Sequence, residues 1–124
     1  MTEEPKGFEN LEAWKLAREL TNSIYAMTAQ GGSVRNYGFV DQIRRAAVSV
    51  MNNIAEGYER GSARDFVKFL YIARGSAGEV RSMLYIALDQ NYITKEVFID
   101  LRDLAVRCSQ LCWGLIKYKM KGIE

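Results

Sequence analysis

The fold is decided by the stretch QIRRAAVSVMNNIAEG, residues 42–57. Its apolar residues recur at steps of three and four, as on one face of a helix, and Gly57 is a natural stop signal. Polar residues are interspersed among them: Gln42, Arg45, Ser49, Asn52, Asn53 and Glu56. An ordinary core helix needs fewer polar side chains than this. We therefore expect one helix to carry both core packing and polar contacts.

The length and composition of the chain predict one globular domain, residues 1–124. A chain of 124 residues is long enough to bury one hydrophobic core but too short to form two domains with a core each. Its residues are 48% hydrophobic and 26% charged, which is ordinary for a folded protein. The net charge of +2 neither requires nor excludes an anionic partner.

Several function classes are disfavoured by the residues that the chain lacks. Histidine is absent, which removes the commonest general base and the commonest metal ligand, so we expect no enzyme, metal or cofactor. No uninterrupted apolar run approaches the about 18 residues that span a bilayer, and the first residues do not resemble a signal peptide. These features predict a cytoplasmic protein without a membrane partner. Cys108 and Cys112 share one helical face, which predicts buried thiols rather than a disulfide.

Outside the central stretch, the apolar period predicts three more helices. The four predicted helices span about residues 10–30, 38–57, 62–91 and 94–118, with N-caps expected at Asn10, Ser62 and Thr94. Nothing in the sequence alternates as a strand does. Four amphipathic helices with short loops predict an all-α fold, an antiparallel up-down-up-down four-helix bundle.

Antiparallel pairing of the second and third helices predicts a line of polar contacts between them. Arg45 would then face Glu79 in an ion pair, and Ser49 would face Ser76 with a close backbone approach at Gly75. We call the whole predicted set the polar seam and expect it to fix the alignment of the two helices. Its members are Gln42, Arg45, Ser49, Asn53, Glu56, Ser76 and Glu79.

A second set of residues is basic and lies along the same two helices. Such a set could bind RNA or DNA phosphates, and an oligomer could multiply it into a continuous surface. The alternative is a solvated helical face balanced by nearby carboxylates. The candidate nucleic-acid-binding residues are Arg44, Arg60, Arg64, Lys68, Arg74 and Arg81.

Four segments together resemble a known family. They are QIRRAAVSVMNNIAEGYERGS at 42–62, FLYIARGSAGE at 69–79, FENLEAWKLA at 8–17 and ALDQNYI at 87–93. The chain is similar to the four-helix-bundle proteins encoded in intervening sequences of bacterial large-subunit ribosomal RNA genes, which are related to accessory proteins of diversity-generating retroelements. The resemblance implies a homo-oligomer, commonly a pentamer, without known enzymatic activity. It also implies RNA, DNA or a reverse transcriptase as a partner.

Two functional hypotheses of different classes follow. The first is a non-enzymatic oligomeric scaffold associated with nucleic acid or with a nucleoprotein partner. The second is a protein–protein adaptor bundle that binds no nucleic acid. A metabolite-binding bundle is a third possibility, which a roomy polar cavity would support. No residue is assigned a catalytic role under any of them.

Overall fold

Four long helices make up nearly all of the structure. The computed structural model describes residues 7–123, and no strand occurs among them. After a short 3-10 turn at Phe8–Asn10, the helices are α1 (Glu12–Thr28), α2 (Tyr37–Glu59), α3 (Ala63–Asp89) and α4 (Lys95–Lys121). Each helix packs on the next, and α4 packs back on α1. The predicted all-α antiparallel four-helix bundle is confirmed.

Side-chain caps start three of the helices. The side chains of Asn36, Ser62 and Thr94 accept hydrogen bonds from the backbone N–H three residues later, which satisfies one otherwise unpaired donor at each helix start. The predicted caps at Ser62 and Thr94 are thus confirmed. The predicted cap at Asn10 is wrong, because Asn10 ends the 3-10 turn and α1 starts after Leu11 without a side-chain cap.

The core is built from the apolar stripe of every helix. Each helix buries its stripe in one shared cluster, and α4 contributes two cysteines to it. The largest fully buried side chains are Leu20, Ile24, Ile43, Ile54, Leu70, Leu84, Ile116, Val50, Val80, Cys108 and Cys112. Both cysteines are free thiols, as predicted. No helix of residues 7–123 combines the length and the apolarity needed to cross a bilayer.

The close approach of α2 and α3 lies at Gly57, near their turn. A Cβ at Gly57 would lie 2.7 Å from the Cβ of Phe69 and 3.2 Å from Cδ1 of Phe66. Gly57 does not stop α2, as the sequence predicted, because the helix continues through Glu59. Gly75 does not mediate the approach either, since it is exposed and a Cβ there would meet no atom within 4 Å. Both glycine predictions are therefore wrong.

At the opposite end of the bundle, the α1–α2 loop contacts the α3–α4 turn. Asn36 Nδ2 donates to the Tyr92 hydroxyl at 2.9 Å, and the Tyr92 ring meets Phe39 edge-on at 5.3 Å between centroids. Asn91 closes α3 in the left-handed conformation, with φ of 60°. The Tyr92 N–H then donates to the Ala87 carbonyl, which completes the helix end.

Candidate nucleic-acid interface

The centre of the polar seam is a set of hydrogen bonds between α2 and α3. The hydroxyl oxygens of Ser49 and Ser76 lie 2.8 Å apart. Asn53 Nδ2 donates to the Ser49 hydroxyl at 2.9 Å and to the Ser49 carbonyl at 2.8 Å. All three side chains are half-buried, so the contact sits at the edge of the helix pair and not in its core. The expected Ser49–Ser76 contact is present.

The expected ion pair of Arg45 with Glu79 is not formed. Arg45 Nε lies 2.9 Å from Asp41 Oδ2, one turn earlier on the same helix, and Glu79 Oε2 accepts from Gln42 Nε2 at 3.2 Å. Gln42 is two turns from Ser49 and shares its face, whereas Arg45 is rotated away toward solvent. The seam therefore joins the helices through neutral donors and an exposed carboxylate, and contributes little electrostatic free energy.

Glu56 also lies outside the hydrogen-bonded seam. Its Oε2 is 2.9 Å from Arg60 Nη2, in a pair one turn apart whose side chains are both about half exposed at 52%. The Arg60 guanidinium also lies 5.0 Å from the centroid of Phe69, and the Lys68 ammonium lies 6.0 Å from the same ring. The Arg60 guanidinium is thus partly exposed to solvent, but its charge is partly neutralised by the Glu56 carboxylate.

Arg44 belongs to the contact between α1 and α2. Its Nε donates to Thr28 Oγ1 at 2.8 Å, and its guanidinium lies 4.4 Å from the centroid of Tyr25. Thr28 is buried, and its hydroxyl donates in turn to the Ile24 carbonyl at 2.7 Å. Because these contacts hold the half-buried Arg44 side chain in place, its replacement would disturb packing as well as charge.

Arg74 leans toward α4 and away from the other basic residues. Its guanidinium lies 4.6 Å from the centroid of Trp113, and the Lys117 ammonium lies 5.7 Å from the same ring. Arg81 follows Arg74 by two turns and is exposed. The six predicted basic residues therefore form no single cluster, because Arg44 lies at α1 and these two lie toward α4.

Basic residues of the α2–α3 turn, of α3 and of α4 do converge at one end of the bundle. Lys119 and Lys121 line a surface groove of about 430 Å³ together with Ala63, the first residue of α3. Lys119 also lies 5.7 Å from the Phe66 ring. With the predicted residues nearby they form what we call the turn-end basic group: Arg60, Arg64, Lys68, Lys119 and Lys121. Lys119 and Lys121 are not among the residues predicted from the sequence, because only the up-down topology brings the end of α4 to this turn.

The chemistry available to the described side chains is limited. No group of three His, Cys, Asp or Glu residues within 7–123 is arranged to hold a metal ion. Burial raises the pKa of Cys108 and of Cys112 to about 12, and the neighbouring Cys112 adds to the shift of Cys108. Both thiols therefore stay protonated near neutral pH and are poor nucleophiles.

Comparison with known proteins places the chain in a family. Residues 9–114 match the 23S rRNA-intervening sequence proteins. The chain belongs to the 23S rRNA-intervening sequence protein family. The match includes α1, α2 and α3 and most of α4, so it covers the polar seam and much of the turn-end basic group. Lys119 and Lys121 lie beyond it.

A solved structure shares the fold of this family member. A protein of unknown function from the S23 ribosomal protein family of Bacteroides thetaiotaomicron VPI-5482 superposes with a TM-score of 0.76 at 24% identity. The similarity covers 85% of this chain and 95% of that one. It shows a common four-helix architecture. A comparison with curated proteins gives no match.

Proposed function

We propose that this family member is a non-enzymatic, self-associating scaffold of the cytoplasm that binds the phosphate backbone of RNA or DNA. The observation that supports the proposal is the turn-end basic group, in which cations of the α2–α3 turn, α3 and α4 meet at one end of the bundle. The family is named for an association with ribosomal RNA genes, which makes a nucleic acid a natural partner.

The geometry of the turn-end basic group suits a phosphate backbone better than base edges. Arg64 and Lys121 are exposed, and neither takes part in an ion pair among residues 7–123. Lys and Arg at a surface contact phosphates without reading sequence, and each neutralised phosphate releases counterions. A symmetric oligomer repeats the group in each copy, so several weak contacts would act together.

The proposal is tested with two variants of equal charge change. Lys119→Glu with Lys121→Glu alters the turn-end basic group, and Arg35→Glu with Lys95→Glu alters cations at the other end of the bundle. Binding of a fluorescent single-stranded RNA and of a DNA duplex is followed by anisotropy at low and moderate salt. We expect the first variant to lose about tenfold or more in affinity, with a shallower salt dependence, and the control to lose much less.

Two results would contradict the proposal. Equal losses in both variants would mean that net charge alone attracts the nucleic acid. No binding by the unaltered protein at low salt would remove nucleic acid as a partner altogether. The second candidate, a protein–protein adaptor, would then be favoured by the exposed apolar face of α3, on which Tyr71, Ile72, Tyr85 and Ile86 are each more than 40% accessible.

A further inference from the structure

The outward side of α3 exposes four large side chains that carry apolar surface. Tyr71, Ile72, Tyr85 and Ile86 are 46%, 43%, 48% and 46% exposed. The outward face of α4 mixes charged and amide side chains with the exposed Val97, Leu111 and Tyr118. Tyr71 and Tyr85 each meet a ring of α4 edge-on, at 6.4 and 4.9 Å between centroids, and leave the rest of their surface in solvent. Large apolar side chains gathered along one exposed helix indicate a contact surface.

The exposed residues of α3 include one continuous line along its outward side. Eight of them follow one another at alternating steps of four and three along the whole helix, so they share one face. We call them the α3 stripe: Arg64, Lys68, Tyr71, Gly75, Gly78, Ser82, Tyr85 and Asp89. Ile72 and Ile86 run along one edge of it.

Two glycines at the middle of the α3 stripe serve no purpose within the bundle. Glycine in a helix interior is unfavourable compared with alanine. A Cβ at Gly75 or at Gly78 would meet no atom within 4 Å, so nothing in the same chain requires glycine there. What these positions do permit is close approach of a second helix backbone from outside.

We propose that the α3 stripe packs against the α3 stripe of a second copy, antiparallel about a twofold axis. The stripe is self-complementary in that direction. Arg64 faces the Asp89 carboxylate, and Lys68 faces the Tyr85 ring. Tyr71 faces the Ser82 hydroxyl, and Gly75 faces Gly78 at the centre. A parallel pairing would set Arg64 against Arg64 and Asp89 against Asp89, so charge selects the antiparallel one.

The size of the α3 stripe sets the strength of the contact. A helix of 27 residues is about 40 Å long and about 10 Å wide. The pairing would bury on the order of 400 Å² per copy, which is small for a specific interface and corresponds to a weak, concentration-dependent pair.

The inference rests on the self-association proposed above, and it adds a contact of a different kind. A ring joins two different faces of neighbouring copies, whereas a twofold contact joins the same face. The α3 stripe therefore predicts an even number of copies, either a pair of chains or a pair of rings.

Sedimentation velocity over a range of concentrations tests the contact. Gly78→Glu places a charge at the centre of the α3 stripe, and Gly114→Glu is the matched control on α4, where a Cβ also meets no atom within 4 Å. Circular dichroism verifies that both variants stay helical. We expect the mass of the unaltered protein to be halved by Gly78→Glu and unchanged by Gly114→Glu.

The failures of the two proposals are distinguishable. An unaltered protein that stays monomeric at every concentration overturns self-association and the α3 contact together. An oligomer whose mass Gly78→Glu leaves unchanged overturns the α3 contact alone.

Cysteine cross-linking tests the direction of the pairing. The native Cys108 and Cys112 are fully buried, so they do not compete under mild oxidation. The double variant Tyr71→Cys with Ser82→Cys should form a covalent dimer, because residues 71 and 82 face each other. Ser82→Cys alone should not, since its two copies would lie about 16 Å apart along the antiparallel helices. Cross-linking of the single variant, or of neither, would refute the antiparallel register.

Discussion

Gly57 offers the sharpest test of the packing between α2 and α3. In Gly57→Ala the new methyl group would lie 2.7 Å from Phe69 Cβ and 3.4 Å from Phe66 Cα. Both atoms are in or next to the α3 backbone, so rotation of a side chain cannot relieve the contact and the helices must separate. Overpacking of this kind costs about 1–3 kcal/mol. The higher helix propensity of alanine offsets about 0.5–1 kcal/mol of this cost, which leaves a net loss of about 0–2.5 kcal/mol with a central value of about 1 kcal/mol.

Gly114→Ala is the matched control for this prediction. Gly114 lies in the interior of α4, and a Cβ there meets no atom within 4 Å. Only the propensity gain applies, so we expect a stabilisation of about 0.5–1 kcal/mol. Urea unfolding followed by circular dichroism at a fixed protein concentration measures both variants. The same chemical change should therefore act with opposite sign at the two positions. Equal stabilisation by both would refute the close approach at Gly57.

Three further predictions concern buried and half-buried polar groups. Ser76→Ala should cost about 0.5–1.5 kcal/mol in urea unfolding, and no loss would show that the Ser49–Ser76 hydrogen bond does not stabilise the fold. Thr28→Val should cost about 1–2 kcal/mol, because Arg44 Nε loses its acceptor; unchanged stability would contradict this. The pKa values near 12 keep Cys108 and Cys112 protonated when folded, so stability should fall above about pH 9, where only unfolded thiols ionise. If the double variant Cys108→Ala with Cys112→Ala loses stability with rising pH as steeply as the unaltered protein, the thiols are not the cause.

The fold could be predicted from sequence because its determinants are local. The apolar period of each helix and the caps at Ser62 and Thr94 depend on residues within a few positions of one another. The rotation of each helix about its axis depends on packing against distant residues. That rotation decides that Gln42 and not Arg45 reaches Glu79, and that Gly57 and not Gly75 lies against α3.

The candidate interface was predictable only in part, for the same reason. Sequence identifies Arg64 and Lys68 as basic residues of a helix, and the structure leaves them exposed. It does not identify the buried Thr28, which lies sixteen positions before Arg44 and accepts its hydrogen bond. Lys119 joins the turn-end basic group only once the topology is used to bring the ends of α2 and α4 together.

The contact of Tyr92 with Asn36 and Phe39 bears on how the bundle opens. Asn36 caps α2 and also donates to the Tyr92 hydroxyl, so the first turn of α2 cannot fray without releasing the α3–α4 turn. We expect amide hydrogens of these two segments, 56 positions apart, to exchange with solvent as one cooperative unit. In Tyr92→Phe the hydroxyl is lost and the two segments should exchange at separate rates. If the two segments still exchange together in this variant, the contact between the rings of Phe39 and residue 92 is what couples them, and not the hydrogen bond.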